Sequence, residues 1–391
     1  MNRNRLTFAL CLWGAVALAS PPNPNPEEVA RRLVQSTGVA QGDLVRVSGS
    51  TKDLPLLTAI AVEVEKAGAA SFFALSSDES VRRICHEVPA ERDAGNASAT
   101  LKLISAMTAD ISVSPGTNPR LCSDVDPARL AARGKAFQEA NAAYTKGGIK
   151  AINLGNGMEP ADWRAKRFGI TPAQLSSLYW NGINVEPAKL REAADPIVRG
   201  LAGKRLTVTA ANGTTVSMSI EGRPILFSDG QVTPEMAKKG QTLVAWLPAG
   251  DVYLVAVPGT AEGTVVVDRF WYHEKPIDGL TLTIKGGKII EMQAKSGPLE
   301  QFKRDYEGSG GAKDAVGVVN IGTNPNLRAP AGTRVNATPV WGMVSIMAGD
   351  TSWAGGSDVS SWNFIGFVPA ATVTVDGKVL VDKGQLRAPA A

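Results

Sequence analysis

Histidine is almost missing from this chain: its 391 residues include only His86 and His273. A centre that depends on several imidazole ligands has almost nothing to draw on. Cysteine is scarce as well, with three in all, and no pair has the C-x-x-C spacing of a zinc ribbon or dithiol site. Beyond the amino terminus there is no apolar run near the roughly 20 residues needed to cross a bilayer. An excess of one charge is also lacking, since 41 Lys and Arg stand against 37 Asp and Glu. That balance excludes the basic footprint of a nucleic-acid binder. Charged residues make up 20% of the chain and apolar residues 44%, which excludes a disordered tail or a coiled coil. The length then suits two domains, each with a substantial core.

The amino terminus does hold an apolar run. Residues 1–5 are basic, 6–18 are almost wholly apolar, and Ala17-Leu18-Ala19 closes the run with small residues at signal-peptidase spacing. Residues 1–19 are therefore predicted to be a signal peptide. The mature protein is predicted to be periplasmic or extracellular, without a stable membrane anchor. Cys11 leaves with the leader and Cys85 and Cys122 remain. In an oxidising compartment a disulfide is the simplest expectation for this pair, two buried free thiols being the alternative.

After a Pro/Asn linker over 20–26, Asn25 as cap, Pro26 and the acidic pair Glu27-Glu28 open a helix that Gly38 stops. A buried strand over 44–47 follows. Leu56, Leu57, Ile60, Ala61 and Val64 recur at helical spacing, Gly68 ends that helix, and a strand covers 71–75, making a βαβ unit. Its first turn, Gly49-Ser50-Thr51-Lys52-Asp53, lacks the G-x-G-x-x-G spacing that brings backbone amides to a pyrophosphate, which argues against a dinucleotide site. Further helices are predicted over 127–146, 171–180 and 187–201. From Arg205 the pattern turns to short strands, with hairpins at Asn212-Gly213, Gly286-Gly287 and Asp376-Gly377. One helix over 299–306 interrupts them. The expected organisation is an α/β domain over 27–203 followed by a β-rich α+β domain over 204–391.

Several strings in the second half recur in a fixed order: LPAGDVY from Leu247, GTVVVD from Gly263, NIGTNP from Asn320, AGDTSWAGG from Ala348 and VDGK from Val375. In the first half, GSTKDLPLLTAIAVEVEKAGA and AKRFGITPAQLSSLYW, followed by NGTTVSMSIEGRP, agree with them. Together they resemble the thermophilic metallo-aminopeptidase family, of the aminopeptidase T and aminopeptidase S type, over about residues 27–386. The resemblance implies a two-domain fold and a homodimer. It also implies a chemistry in which two adjacent divalent ions lower the pKa of a bridging water and polarise the scissile carbonyl.

Carried over residue by residue, the first acidic position of that family becomes Asp251, which keeps its charge. The next falls on Pro258, and the one ahead of IGTNP on Val318. The imidazole of V-H-I-A-L-G-D becomes Ser345, while the histidine and aspartate of S-S-x-H-x-D become Asn363 and Ile365. The resemblance thus implies a homologue whose dinuclear site is degenerate and holds no cofactor. Such a site would be a neutral pocket walled by Tyr253, Trp341, Trp353 and Trp362, with Asp350 nearby, fit for a peptide terminus or a small molecule. A filled core has the same composition. An active hydrolase is the first alternative, with a divalent ion on carboxylates drawn from Asp251, Glu262, Asp268, Asp350 and Asp358; Asp350 and Asp358 are also well placed as turn formers. A structural envelope protein is the second. His273 beside Glu274 reads either as an oriented base or as a strand-end histidine packed among aromatics, and Ser345 lacks the G-x-S-x-G elbow of a serine hydrolase.

Overall fold

Asn25 caps the first helix as predicted, its side chain accepting from the Glu27 amide at 2.9 Å, and Gly38 closes the helix in the left-handed region at φ 68°. The structure, a computed structural model, describes residues 25–387 apart from 94, 96, 127, 128, 130, 131, 134–139, 141 and 145. The predicted leader, most of the linker and much of the helix expected over 127–146 lie outside the described residues.

The first half runs α1 (Pro26–Thr37), β1 (Leu44–Ser50), α2 (Leu54–Lys66), β2 (Ala70–Ser76), α3 (Asp78–Glu87), α4 (Ala97–Ala106), β3 (Ala109–Val113), β4 (Lys150–Leu154), α5 (Asp162–Phe168), α6 (Pro172–Ile183) and α7 (Pro187–Gly200). Its strands form one parallel sheet of order β2-β1-β3-β4, extended at the edge by a later strand, β8 (Val244–Leu247). Parallel strands are covered on both faces, so Val45, Val47, Ile111 and Ile152 are all fully buried, against Leu33, Leu57, Ile60 and Leu175 of the helices. Cys85, on α3, is disulfide-bonded to Cys122.

The second half is antiparallel. It runs β5 (Arg205–Thr209), β6 (Thr215–Ser219), β7 (Leu226–Ser228), α8 (Pro234–Lys238), then β8, β9 (Asp251–Val255), β10 (Glu262–Tyr272), β11 (Lys275–Lys285), β12 (Lys288–Gln293), α9 (Leu299–Glu307), β13 (Val316–Gly322), β14 (Val344–Gly349), β15 (Asn363–Val368), β16 (Thr372–Val375), β17 (Lys378–Asp382) and β18 (Gln385–Leu386). These make an eight-stranded sheet, β12-β11-β10-β6-β5-β16-β17-β18, and a five-stranded sheet, β15-β14-β13-β9-β7. All three predicted turns form hairpins, β5–β6, β11–β12 and β16–β17. Leu206, Val216, Val267 and Leu280 of the large sheet pack against Val252, Leu254, Ile321 and Ile346 of the smaller one.

The excursion of β8 into the parallel sheet was not anticipated. Four residues, Val244 to Leu247, are too few to show a period, and their pairing with β4 spans most of a domain. Glu274 does not orient His273, whose Nε2 instead lies 3.4 Å from Asp305 Oδ2. His273 and Glu274 form the tip of the β10–β11 hairpin, with φ of 43° and 64°, and Glu274 is paired with Arg167 on α5 rather than with His273. His273 packs edge-on against Tyr272, as a strand-end histidine does. Among the described residues, no helix is long and apolar enough to cross a membrane.

Candidate functional site

The loop into β9 is fixed from below. Gly250 has a φ of 109°, and a Cβ there would meet Asn324 Cβ at 2.8 Å, so only glycine fits. Asn324, fully buried, donates through Nδ2 to the carbonyls of Ala249 and Gly182, at 2.5 and 2.9 Å. The Thr323 amide reaches the Gly250 carbonyl at 2.8 Å. The NIGTNP string therefore acts as a brace that sets where Asp251 enters the sheet.

Register then decides what Asp251 meets. On β9 and β13, Tyr253 stands opposite Asn320 and Val255 opposite Val318. On β13 and β14, Asn320 is opposite Ser345 and Val318 opposite Met347. On β14 and β15, Met347 is opposite Ile365 and Gly349 opposite Asn363. A register shift between Val316 and Val318 changes the parity of β13, turning Val316 toward the sandwich core and Val318 to the other side. One face of the five-stranded sheet thus gathers five of the six positions carried over by resemblance: Asp251, Val318, Ser345, Asn363 and Ile365. Pro258 is not among them; it lies in an exposed turn beyond the end of β9.

A cavity of about 720 Å³ lies over this face. Asp251, Tyr253, Asn320, Asn363 and Ile365 are on its floor side, and Trp246 and Trp353 close it from above. Trp353 is set by its turn: its Nε1 donates to the Asp350 carbonyl at 3.1 Å, and Asp350 Oδ1 accepts from the Ser352 amide at 2.8 Å. It stands edge-on to Trp246 with ring centroids 6.0 Å apart, and 5.3 Å from Tyr253. Gln241 Nε2 donates to the Tyr253 hydroxyl at 2.7 Å. At the rim, Arg191 is paired with Asp229 at 2.5 Å.

Val318 does more than fail to supply a ligand. It packs with Leu226, Tyr253, Val255 and Ala354 in a small apolar cluster that Met347 and Trp353 complete. Asp251 sits beside this cluster at 8% exposure, its Oδ2 accepting from Asn320 Nδ2 at 2.7 Å. Burial pushes its carboxyl up to about 6, against the opposing effect of hydrogen bonds from Asn320 and Ser228. Among the described residues, three buried oxygens here or one residue beyond the strand have no partner, namely Asn320 Oδ1, Ser345 Oγ and Thr323 Oγ1. Buried polar atoms without partners are rare in a packed core. In this one they concentrate on and beside the face that borders the cavity.

The remaining candidates lie elsewhere. Trp362, expected as a pocket wall, stacks on Phe364 with its ring near Phe302 and Tyr306, on the sandwich side. Trp341 lies under Arg328. Asp358 and Thr351 bind each other through their loop, the turn-forming role that the sequence allowed. Glu262 accepts from the Gly286 amide, and Asp268 is exposed on β10. Among the described residues, no three His, Cys, Asp or Glu side chains stand close enough to hold a metal ion. Asn320, Trp246 and the wall over 227–241 were missed as site residues. Asn320 lay inside a quoted string, but only its cross-strand partners reveal its direction.

A parallel α/β sheet joined to an antiparallel sandwich defines the architecture, and known proteins share that fold. The structure superposes on wild-type AmpT from Thermus thermophilus with a TM-score of 0.70 at 14% identity, covering 92% of this chain and 98% of that one. It also matches 2,5-dihydroxypyridine dioxygenase from Pseudomonas putida KT2440, with a TM-score of 0.55 at 14% identity over 94% and 98% of the two chains. At that identity the likeness is one of fold. Residues 193–310 match the family described as thermophilic metalloprotease (M29). No curated protein sequence matches the chain significantly.

Proposed function

We propose that this protein is an exported homologue of the metallo-aminopeptidases that has no working dinuclear centre and uses the cavity over Asp251 to bind a peptide end or another small ligand. One observation carries the reading. Five of the six positions where the resemblance puts metal ligands converge on one face of one sheet, and a single carboxylate, Asp251, stands among them. Two adjacent cations need several charged or imidazole donors. Val318 and Ile365 offer none, Ser345 and Asn363 are neutral, and Asp251 already accepts from Asn320. The residues present do not fit the pair of ions, and no hydrolytic step is derived through them.

The open cavity supports a binder over a purely structural role, since its volume of about 720 Å³ is in the range of small-molecule sites. Its lining sets Tyr253, Trp246 and Trp353 beside Asp229, Gln241 and Asp350, which suits a ligand with both polar and apolar parts. The deciding experiment is elemental analysis of the purified mature protein after incubation with zinc, cobalt and manganese, with an aminoacyl-chromogen hydrolysis assay on the same sample and on Asp251→Ala. The expected result is substoichiometric metal and no turnover. Near-stoichiometric metal, with hydrolysis lost in the variant, would overturn the reading in favour of a rebuilt carboxylate site.

A further inference from the structure

The parallel sheet carries a second cavity, of about 410 Å³, whose place follows from topology. β1 pairs with β2 on one side and β3 on the other. The chain therefore leaves β1 in one direction along the sheet and β3 in the other, which opens a crevice at their carboxyl ends. In open parallel sheets such a crevice is where ligands bind. Here the turn after β1 supplies Lys52 and Asp53, the segment after β3 supplies Ser114 and Gly116, and the loop after β4 supplies Glu159.

Two carboxylates, Asp53 and Glu159, stand on this wall against one lysine. Glu159 is 8% exposed. Its Oε1 is 2.6 Å from Arg164 Nη2, whereas its Oε2 is buried without a hydrogen-bond partner. The Asp53 side chain makes no capping bond to α2, although it precedes that helix, and burial pushes its carboxyl up. Tyr179, on α6, lines the same crevice and feels the charges of both Glu159 and Asp53. Lys52 is the one basic residue among the described lining side chains, and it is exposed. Much of the remaining wall is apolar, from Val29, Leu56, Val113, Leu154 and Trp180.

An unfilled carboxylate acceptor in a largely apolar crevice disfavours an anion and is satisfied by a charged N–H donor. We propose that this crevice binds a small primary ammonium compound, with its N–H donors toward Glu159 Oε2 and Asp53 and its aliphatic part against Leu56 and Trp180. The site is separate from the cavity over Asp251, and the proposal stands whether or not that cavity binds a peptide end.

Calorimetric titration of the full chain with n-butylammonium, and with n-butanol as the uncharged control, tests it. Saturable binding of the amine and none of the alcohol is expected. Glu159→Gln and Asp53→Asn should each weaken binding by about tenfold or more, the loss of one charge-assisted contact. Glu159→Gln also touches Arg164, so circular dichroism must report a native fold; Asp53, in a surface turn, keeps the test independent of that contact. No saturable binding, equal binding of alcohol and amine, or binding unchanged in both folded variants would each overturn the proposal.

Discussion

The two faces of the five-stranded sheet come from the same strands and both hold deeply buried side chains, yet they are built on opposite terms. On one face Val252, Leu254, Val319, Ile321, Val344 and Ile346 are at most 2% exposed, and all join the core shared with the eight-stranded sheet. On the other, Asp251, Asn320 and Ser345 are at most 8% exposed, but two of their oxygens have no partner and the carboxyl is displaced upward. Burial alone does not separate a core from a site. Hydrogen-bond satisfaction distinguishes the two faces, because a packed core leaves few buried polar atoms unpaired.

The contrast can be broken at several points. Ile346→Ala, on the packed face, is expected to cost about 2–5 kcal/mol in urea unfolding. Met347→Ala, one residue on and facing the cavity, should cost less than half as much, and equal losses would erase the distinction between the faces. Asp251 gives a pH signature. Burial pushes its carboxyl up to about 6 in the fold from its ordinary 3.8, so the native state holds the proton more tightly. The stability it contributes is fully present below about pH 3.8 and is lost as pH rises through about 6. Relative to wild type, Asp251→Asn should therefore be more stable at pH 7 than at pH 4, by an amount of order 3 kcal/mol. Parallel pH profiles would mean that Asp251 is solvated in the fold.

Asn320→Ala removes the donor that faces the Asp251 carboxylate and should cost about 1–3 kcal/mol at pH 7 by thermal or chemical unfolding. A loss below about 0.5 kcal/mol would show that the pair contributes little. The smallest effect belongs to Ser345→Ala. Deleting an unpartnered hydroxyl should be neutral or stabilising by up to about 1 kcal/mol, and a clear loss would reveal a partner such as an ordered water.

Much of the fold was legible where local physics is strong. The cap at Asn25, the stop at Gly38, the βαβ unit and the three glycine turns all rest on short-range rules, and each formed as read. What escaped was long-range. The return of β8 to the parallel sheet and the pairing of Glu274 with Arg167 depend on contacts that no local period encodes. The site was legible in part. Motif strings gave Asp251, Val318, Ser345, Asn363 and Ile365, but the same reasoning placed Trp362 in the pocket, where the neighbouring residue's orientation turns it to the aromatic cluster instead.

By itself the sequence determined the inventory: two histidines, one charged residue at the motif positions, and a change from helical to alternating patterning near Gly203. Those are facts of composition and spacing, and no arrangement can add a missing imidazole. Tertiary structure decided which face each residue joined. Strand register, shifted by one residue beside Gly317, assigned Val318 to the cavity side and Val316 to the core, because a strand presents alternate residues to opposite sides and a single slip exchanges them.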